Sequence, residues 1–271
     1  MKKCFKIISK ENVQKFTFPR ILTYFILYSI WGYFAEILFG LIRQGTIQSR
    51  QGFVYGPFCP IYGLGGVAMT ILLQYFKKNK ATLFIGGILI GSALEYAVSW
   101  FGETFLNVIW WDYSNFPLNI NGRICLLYSA IWGILAIYLI ESLQKQIDKI
   151  IDKLLASVNI NVLKGTLISL CIFLAIDALL TMFALDTFVL RTSANCNIEL
   201  SEAKTTGLIA KIYNNEEIKL LTDKVFNDYK MVKTFPNIYI TDKHGNMHYA
   251  KDIYTYINPY YIRLFTPKAV K

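Results

Sequence analysis

Five stretches of the chain are dominated by apolar residues, and polar or basic residues close each of them. An α-helix needs about 20 such residues to cross a bilayer. The pattern predicts spans over about Leu22 to Ile42, Pro60 to Phe76, Ala81 to Phe101, Ile124 to Glu141 and Gly165 to Val189. A leader (1–21) precedes them, and residues 22–141 make a four-helix membrane core. The lysine-bearing segment 142–164 is expected to lie along the membrane surface as an amphipathic helix, before a fifth membrane helix at 165–189. Residues 190–271 are polar enough to form a soluble tail. Within the tail, Ile218, Leu221, Val225, Phe226, Tyr229 and Val232 share one helical face over about Asn215 to Val232. Asn237 to Thr241 and Met247 to Ile253 flank a turn and predict a β-hairpin. The fold class expected is an all-α polytopic membrane helix bundle of about five transmembrane helices, with a small C-terminal α+β tail.

One stretch breaks the pattern. Between the first two spans the chain reads GFVYGPFCPIYGLGG, from Gly52 to Gly66, with five glycines and two prolines. Non-helical backbone at membrane depth is tolerated only where protein or a water-filled cavity satisfies it. The stretch is therefore expected to fold back into the bundle as a re-entrant-like loop. Gly56, Pro57, Pro60 and Gly63 shape it as a lid, and Tyr55 and Tyr62 are its side chains with chemistry to offer.

Composition supports the membrane class. The chain is 54% hydrophobic and only 17% charged, against about 25% charged for soluble domains. Its net charge of +10 comes from lysines that flank the spans, which is a topology signal and no sign of nucleic acid. The leader, the 77–80 loop and segment 142–164 hold thirteen basic residues, and the two opposite loops hold Arg43, Arg50 and Arg123. This bias puts the N-terminus in the cytoplasm, and an odd number of spans puts the tail on the exoplasmic side. The leader lacks an early apolar core and a small-residue cleavage site, so no cleaved signal peptide is expected. Lysine suffices as a point charge, whereas arginine offers a planar fork of donors for carboxylates, phosphates and carbonyls. The exoplasmic loops use only arginine. Five scattered cysteines without a CxxC pair, and only His244 and His248, give no metal site and no disulfide framework. No cofactor and no catalytic residue is expected.

The candidate site is charged. A carboxylate inside the bilayer is costly and by default marks function. Gly32, Glu36 and Gly40 share one helical face, as do Gly87, Gly91, Glu95, Ser99 and Glu103. Glycines let helices approach closely, so the two faces are expected to pack together with Glu36 and Glu95 between them. The resulting pocket opens to the exoplasm, with Glu103 and Arg123 also lining it. Arg50, Tyr55, Tyr62, Asp112, Tyr113 and Asn121 come from the two loops above, as further substrate-binding candidates. Asp177 and Asp186 in the fifth span are weaker candidates.

The strings GFVYGPFCPIYGLGG and WWDYSNFPLNINGRICLLYSAIWG, with single glutamates in the first and third spans, resemble the CmpB-like ABC-transporter type IV family of bacterial membrane proteins. The resemblance covers about residues 22–141. It implies a bacterial cytoplasmic membrane location and a transport complex, and it brings no residue roles. The chain has no G-x-x-x-x-G-K-[ST], so an ATPase must be a separate subunit. Few spans for a complete permease imply an oligomer. The partners expected are the lipid bilayer, an ATPase subunit or further copies of the chain. The function expected is a permease or solute-binding subunit whose carboxylates and arginines hold a polar or cationic solute, or relay protons. A membrane-embedded enzyme acting on a lipid or cell-wall intermediate is the alternative, with Glu36 or Glu95 as base and Arg50 and Arg123 on a phosphate. A non-catalytic assembly or sensing protein, with the tail as partner surface, is the third.

Overall fold

The computed structural model describes residues 17–264. Most of the expected leader lies outside the described residues. Helix α1 (Phe18–Gln44) has Pro19 in its first turn, where a missing N–H costs nothing. It stops at Gly45, whose left-handed backbone (φ 64°) lets its N–H close on Leu41 O. Strand β1 (Thr46–Gln48) follows, then the Gly/Pro stretch, then α2 (Pro60–Leu72) with a 3-10 turn, Leu73–Phe76. Helix α3 (Lys80–Phe101) is opened by a reciprocal cap. Asn79 Oδ1 accepts from Thr82 N at 2.9 Å, and Thr82 Oγ1 accepts from Asn79 N at 3.1 Å. A π turn, Gly102–Leu106, ends α3 and leads to β2 (Val108–Ile109).

Helix α4 (Leu126–Tyr138) passes through a π turn, Leu139–Leu143, directly into α5 (Gln144–Ser157). The amphipathic segment is thus a continuation of the fourth span. Its start is held at the far end of the bundle by Arg20, which pairs with Asp148 at 3.0 Å and Asp152 at 2.9 Å. Helix α6 (Ile160–Cys196) has 37 residues, roughly 55 Å at 1.5 Å per residue. That exceeds a hydrocarbon core of about 30 Å. Among the described residues, four helical stretches are long and apolar enough to cross a membrane: Phe18–Gln44, Lys80–Leu106, Leu126–Leu154 and Ile160–Cys196. Pro60–Phe76 is a shorter apolar helix.

The tail is α+β. Helices α7 (Glu202–Thr206), α8 (Leu208–Tyr213), α9 (Glu216–Val225) and α10 (Asp228–Thr234) precede β3 (Tyr239–Thr241) and β4 (Met247–Tyr249). Helix α11 (Ala250–Ile253) and β5 (Tyr260–Arg263) complete it. The helical pattern over 215–232 is split because Asn227 caps a second helix, its side chain accepting from Lys230 N at 2.9 Å. β3 and β4 form the expected hairpin, but its second arm stops at Tyr249, where the expected strand over 250–253 is a helical turn instead. Two further pairings tie the tail to the membrane core: β2 joins β3, and β1 joins β5, all antiparallel. The last turns of α6 sit in the tail's own core. Leu185, Phe188 and Val189 pack with Met231, Phe235 and Ile240, and with Val54 from the Gly/Pro loop.

The bundle corrects one expectation. The glycine faces of α1 and α3 do not meet each other. α1 packs on α2, and α3 on α4. A Cβ on Gly32 would strike the Tyr62 ring, and one on Gly91 would strike Trp132. Each glycine makes room for an aromatic side chain of its hairpin partner.

Candidate functional site

The Gly/Pro stretch descends into the bundle. Cys59 N donates to Ser29 O at 3.0 Å. Ser29 stands 15 residues before the end of α1 at Gln44, roughly 22 Å down the helix. Loop backbone withdrawn from water needs partners, and nearer the tail polar side chains of α6 supply two of them. Val54 N donates to Thr181 Oγ1 at 2.9 Å, and Tyr55 N donates to Asp177 Oδ1 at 3.3 Å. Within the loop, Gly52 N donates to Phe58 O at 2.8 Å and Gln51 Nε2 donates to Gly56 O at 2.7 Å. Gly56 takes φ +75°, a conformation that favours glycine.

Beside the loop stand the two glutamates. Glu36 accepts from Tyr62 OH at 2.5 Å, and Arg50 Nη1 is 4.0 Å from its other oxygen. Arg50 Nη2 also donates to Gln44 Oε1 at 3.3 Å. Glu95 is only 5% exposed. It accepts from Tyr113 OH at 2.9 Å and from Trp132 Nε1 at 3.1 Å. The Tyr62 and Trp132 rings lie 5.8 Å apart, so an aromatic pair bridges the two carboxylates. Burial, reinforced by the Glu95 charge, raises the Tyr113 phenol above the usual tyrosine range, which keeps it a donor. On the other side of the aromatic pair lies an apolar cavity of about 30 Å³, lined by Tyr28, Trp31, Met69 and Tyr138 as well.

The remaining candidates divide. Arg123 pairs with Glu103, and its guanidinium lies 5.3 Å over the Tyr96 ring. Asn121 Nδ2 donates to Tyr96 OH at 2.9 Å. These groups form a separate rim above Glu95. Asp112 shapes its own loop: its Oδ1 accepts from Ser114 N at 2.9 Å and Ser114 Oγ at 2.6 Å. Tyr55 points to the tail, where Lys230 Nζ lies 3.2 Å from its hydroxyl. Asp186, in the part of α6 beside the tail, pairs with Lys204.

Trp132 and Tyr128 belong to the site but are absent from the candidates read in the sequence. Tyr128 stacks on Tyr113 with ring centres 4.5 Å apart and receives a hydrogen bond from Arg43. An aromatic in a membrane span reads as a lipid anchor unless its partner is known. The signal was the glycine at 91, which makes room for the Trp132 ring, while Gly87 lets the backbone of the partner helix approach. Among the described residues no cluster of His, Cys, Asp and Glu suits a metal ion.

A family model described as "Putative ABC-transporter type IV" matches residues 23–182. The match takes in the whole site, the loop and its two anchors on α6, and stops before the tail. No curated protein and no solved structure matches the chain.

Proposed function

The chain belongs to the family described as "Putative ABC-transporter type IV", and from that premise we propose that it is a permease or solute-binding subunit of a membrane transport system. The paired carboxylates Glu36 and Glu95 receive a cationic solute or a proton. The observation that carries this is Glu95. It lies in a membrane helix and is 5% exposed, yet both its oxygens are held by neutral donors, Tyr113 and Trp132. An ionised carboxylate at that depth is costly unless positive charge joins it. Glu36, across the aromatic pair, has only the distant Arg50. The pair therefore favours a ligand that brings positive charge.

The enzyme alternative gains no support from the arginines. Arg123 pairs with Glu103 and Arg50 donates to Gln44, so a phosphate would have to displace a protein partner at each, although the buried Nε of both has none. In the orientation proposed from the lysine bias, the Arg20 end is cytoplasmic and the tail exoplasmic, in a bacterial cytoplasmic membrane. ATP hydrolysis, if coupled, is supplied by a separate chain.

The test is thermal unfolding of the purified full chain in detergent, with potassium, magnesium, choline and spermidine as probes and chloride and phosphate as controls. One of the cations raises the melting temperature saturably. Glu36→Gln and Glu95→Gln lose that shift, and Glu103→Gln keeps it. Stabilisation by anions alone, or a shift that survives Glu95→Gln, overturns the proposal.

A further inference from the structure

The tail carries a second charged surface that the glutamate pair does not use, centred on β5. Lys233 Nζ lies 3.3 Å from Tyr260 O and 5.1 Å from the centre of the Tyr261 ring. Lys251 Nζ lies 2.9 Å from Tyr260 OH. The Arg263 guanidinium is 5.4 Å from the centre of the Tyr260 ring. Three cations thus converge on two neighbouring tyrosines. The tail's ion pairs engage Arg191, Lys204 and Lys243. Among the described residues, no carboxylate stands within ion-pair distance of Lys233, Lys251 or Arg263. Among the described residues, then, no acidic group neutralises their charge.

The position of β5 says what neutralises it. β5 pairs with β1 so that Arg263 stands opposite Thr46, and Leu264 N donates to Gly45 O at 2.7 Å. Gly45 ends α1, so the strand sits where a membrane span terminates. Tyr261, Ile262 and Leu264 are exposed, as are Phe39 and Ile42 in the last turns of α1. Exposed apolar side chains thus continue from the lipid-facing helix onto the strand. Tyrosines beside cations at such a level suit the headgroup region. We propose that Lys233, Lys251 and Arg263 form a docking surface for the phosphate headgroups of anionic phospholipids in the leaflet on the tail's side. A soluble anion would satisfy the cations but leave the apolar flank in water. A lipid headgroup satisfies both.

The experiment measures binding of phosphatidylglycerol and phosphatidylcholine, matched in acyl chain, to the full chain in neutral detergent. Phosphatidylglycerol binds more tightly, and its affinity falls as ionic strength rises. The triple variant Lys233→Gln, Lys251→Gln, Arg263→Gln weakens it about a hundredfold, or about fivefold per charge removed. The charge-matched Lys211→Gln, Lys219→Gln, Lys224→Gln variant, in α8 and α9, keeps wild-type affinity. If the triple variant does not fold, the exposed Arg263→Gln alone gives the fivefold step, and the salt dependence of the unaltered protein stands beside it. Equal binding of the two lipids, a salt-independent affinity, or wild-type affinity in the folded variants overturns the proposal. So does glycerol 3-phosphate binding as tightly as the lipid, which would make the surface a soluble-anion site.

Discussion

Thr181→Val isolates the latch that holds the Gly/Pro loop in the bundle. The threonine hydroxyl accepts the Val54 N–H at 2.9 Å. Both residues are 5% exposed, so no bulk water stands ready to replace the lost acceptor. Valine has the shape of threonine and no oxygen, so packing changes little. A buried donor left without its partner costs about 1–3 kcal/mol. At about 1.4 kcal/mol per factor of ten, local opening becomes roughly 5- to 150-fold more frequent. Amide hydrogen exchange reads that opening directly. In the full chain in detergent, a peptide covering 52–58 should exchange faster by that factor in Thr181→Val. Thr181→Ser keeps the hydroxyl and should exchange as the unaltered protein does. Wild-type protection in the valine variant would show that the loop is held by something other than α6. Equally fast exchange in the serine variant would show that the hydroxyl is not the acceptor that matters.

Gly32→Ala places a methyl group against the Tyr62 ring. Overpacking of about 1–3 kcal/mol outweighs a helix-propensity gain of about 1 kcal/mol, so the melting temperature should fall. Gly165→Ala, where nothing lies within 4 Å, should raise it, and a Gly32→Ala protein melting at or above wild type refutes the packing argument. In the tail hairpin, the Asn246 side chain, then the Asn246 and His244 amides, hold the Asp242 carboxyl well below the usual carboxylate range. A depressed folded value means that this stabilisation is complete above an unfolded pKa of about 3.9 and is lost as pH falls through the folded value. Near-ultraviolet circular dichroism of the Tyr239–Tyr249 stack, with ring centres 4.4 Å apart, should therefore weaken in acid. The same titration of Asp242→Asn should be flat over that range, and an identical acid transition in the variant would refute the assignment.

The membrane class was legible because span length and apolar content are local properties of the chain. So was the hairpin around Asp242, whose turn residues are contiguous. The descent of the Gly/Pro stretch was legible for the same reason: no helix could hold Gly52 to Pro60 together. Its anchors were not. Thr181 lies 127 positions from Val54, and nothing in a span of leucines and isoleucines distinguishes a threonine that accepts a loop amide from one that bonds its own helix. The helix pairing failed similarly. Spacing put Glu36 on one face with its glycines, and Glu95 with its own, and both faces are as expected. Which helix each face met depended on Tyr62 and Trp132, whose size complements a glycine only once the hairpins have formed.

The polar groups at membrane depth fall into two kinds, and the difference bears on which of them carry function. Asp177 and Thr181 accept hydrogen bonds from loop backbone. Removing either acceptor strands a main-chain donor, so the loop accounts for Thr181 and for one oxygen of Asp177; the other Asp177 oxygen is buried without a hydrogen-bond partner. Glu36 and Glu95 accept from Tyr62, Tyr113 and Trp132, whose donors are side chains that phenylalanine could replace. No main-chain group depends on either glutamate. A bundle of this shape could be built with apolar residues at all five positions, and would then lack the cost of two intramembrane carboxylates. Stability therefore explains Thr181 and one oxygen of Asp177 but neither glutamate, which is why a role in taking up positive charge is sought first at Glu36 and Glu95.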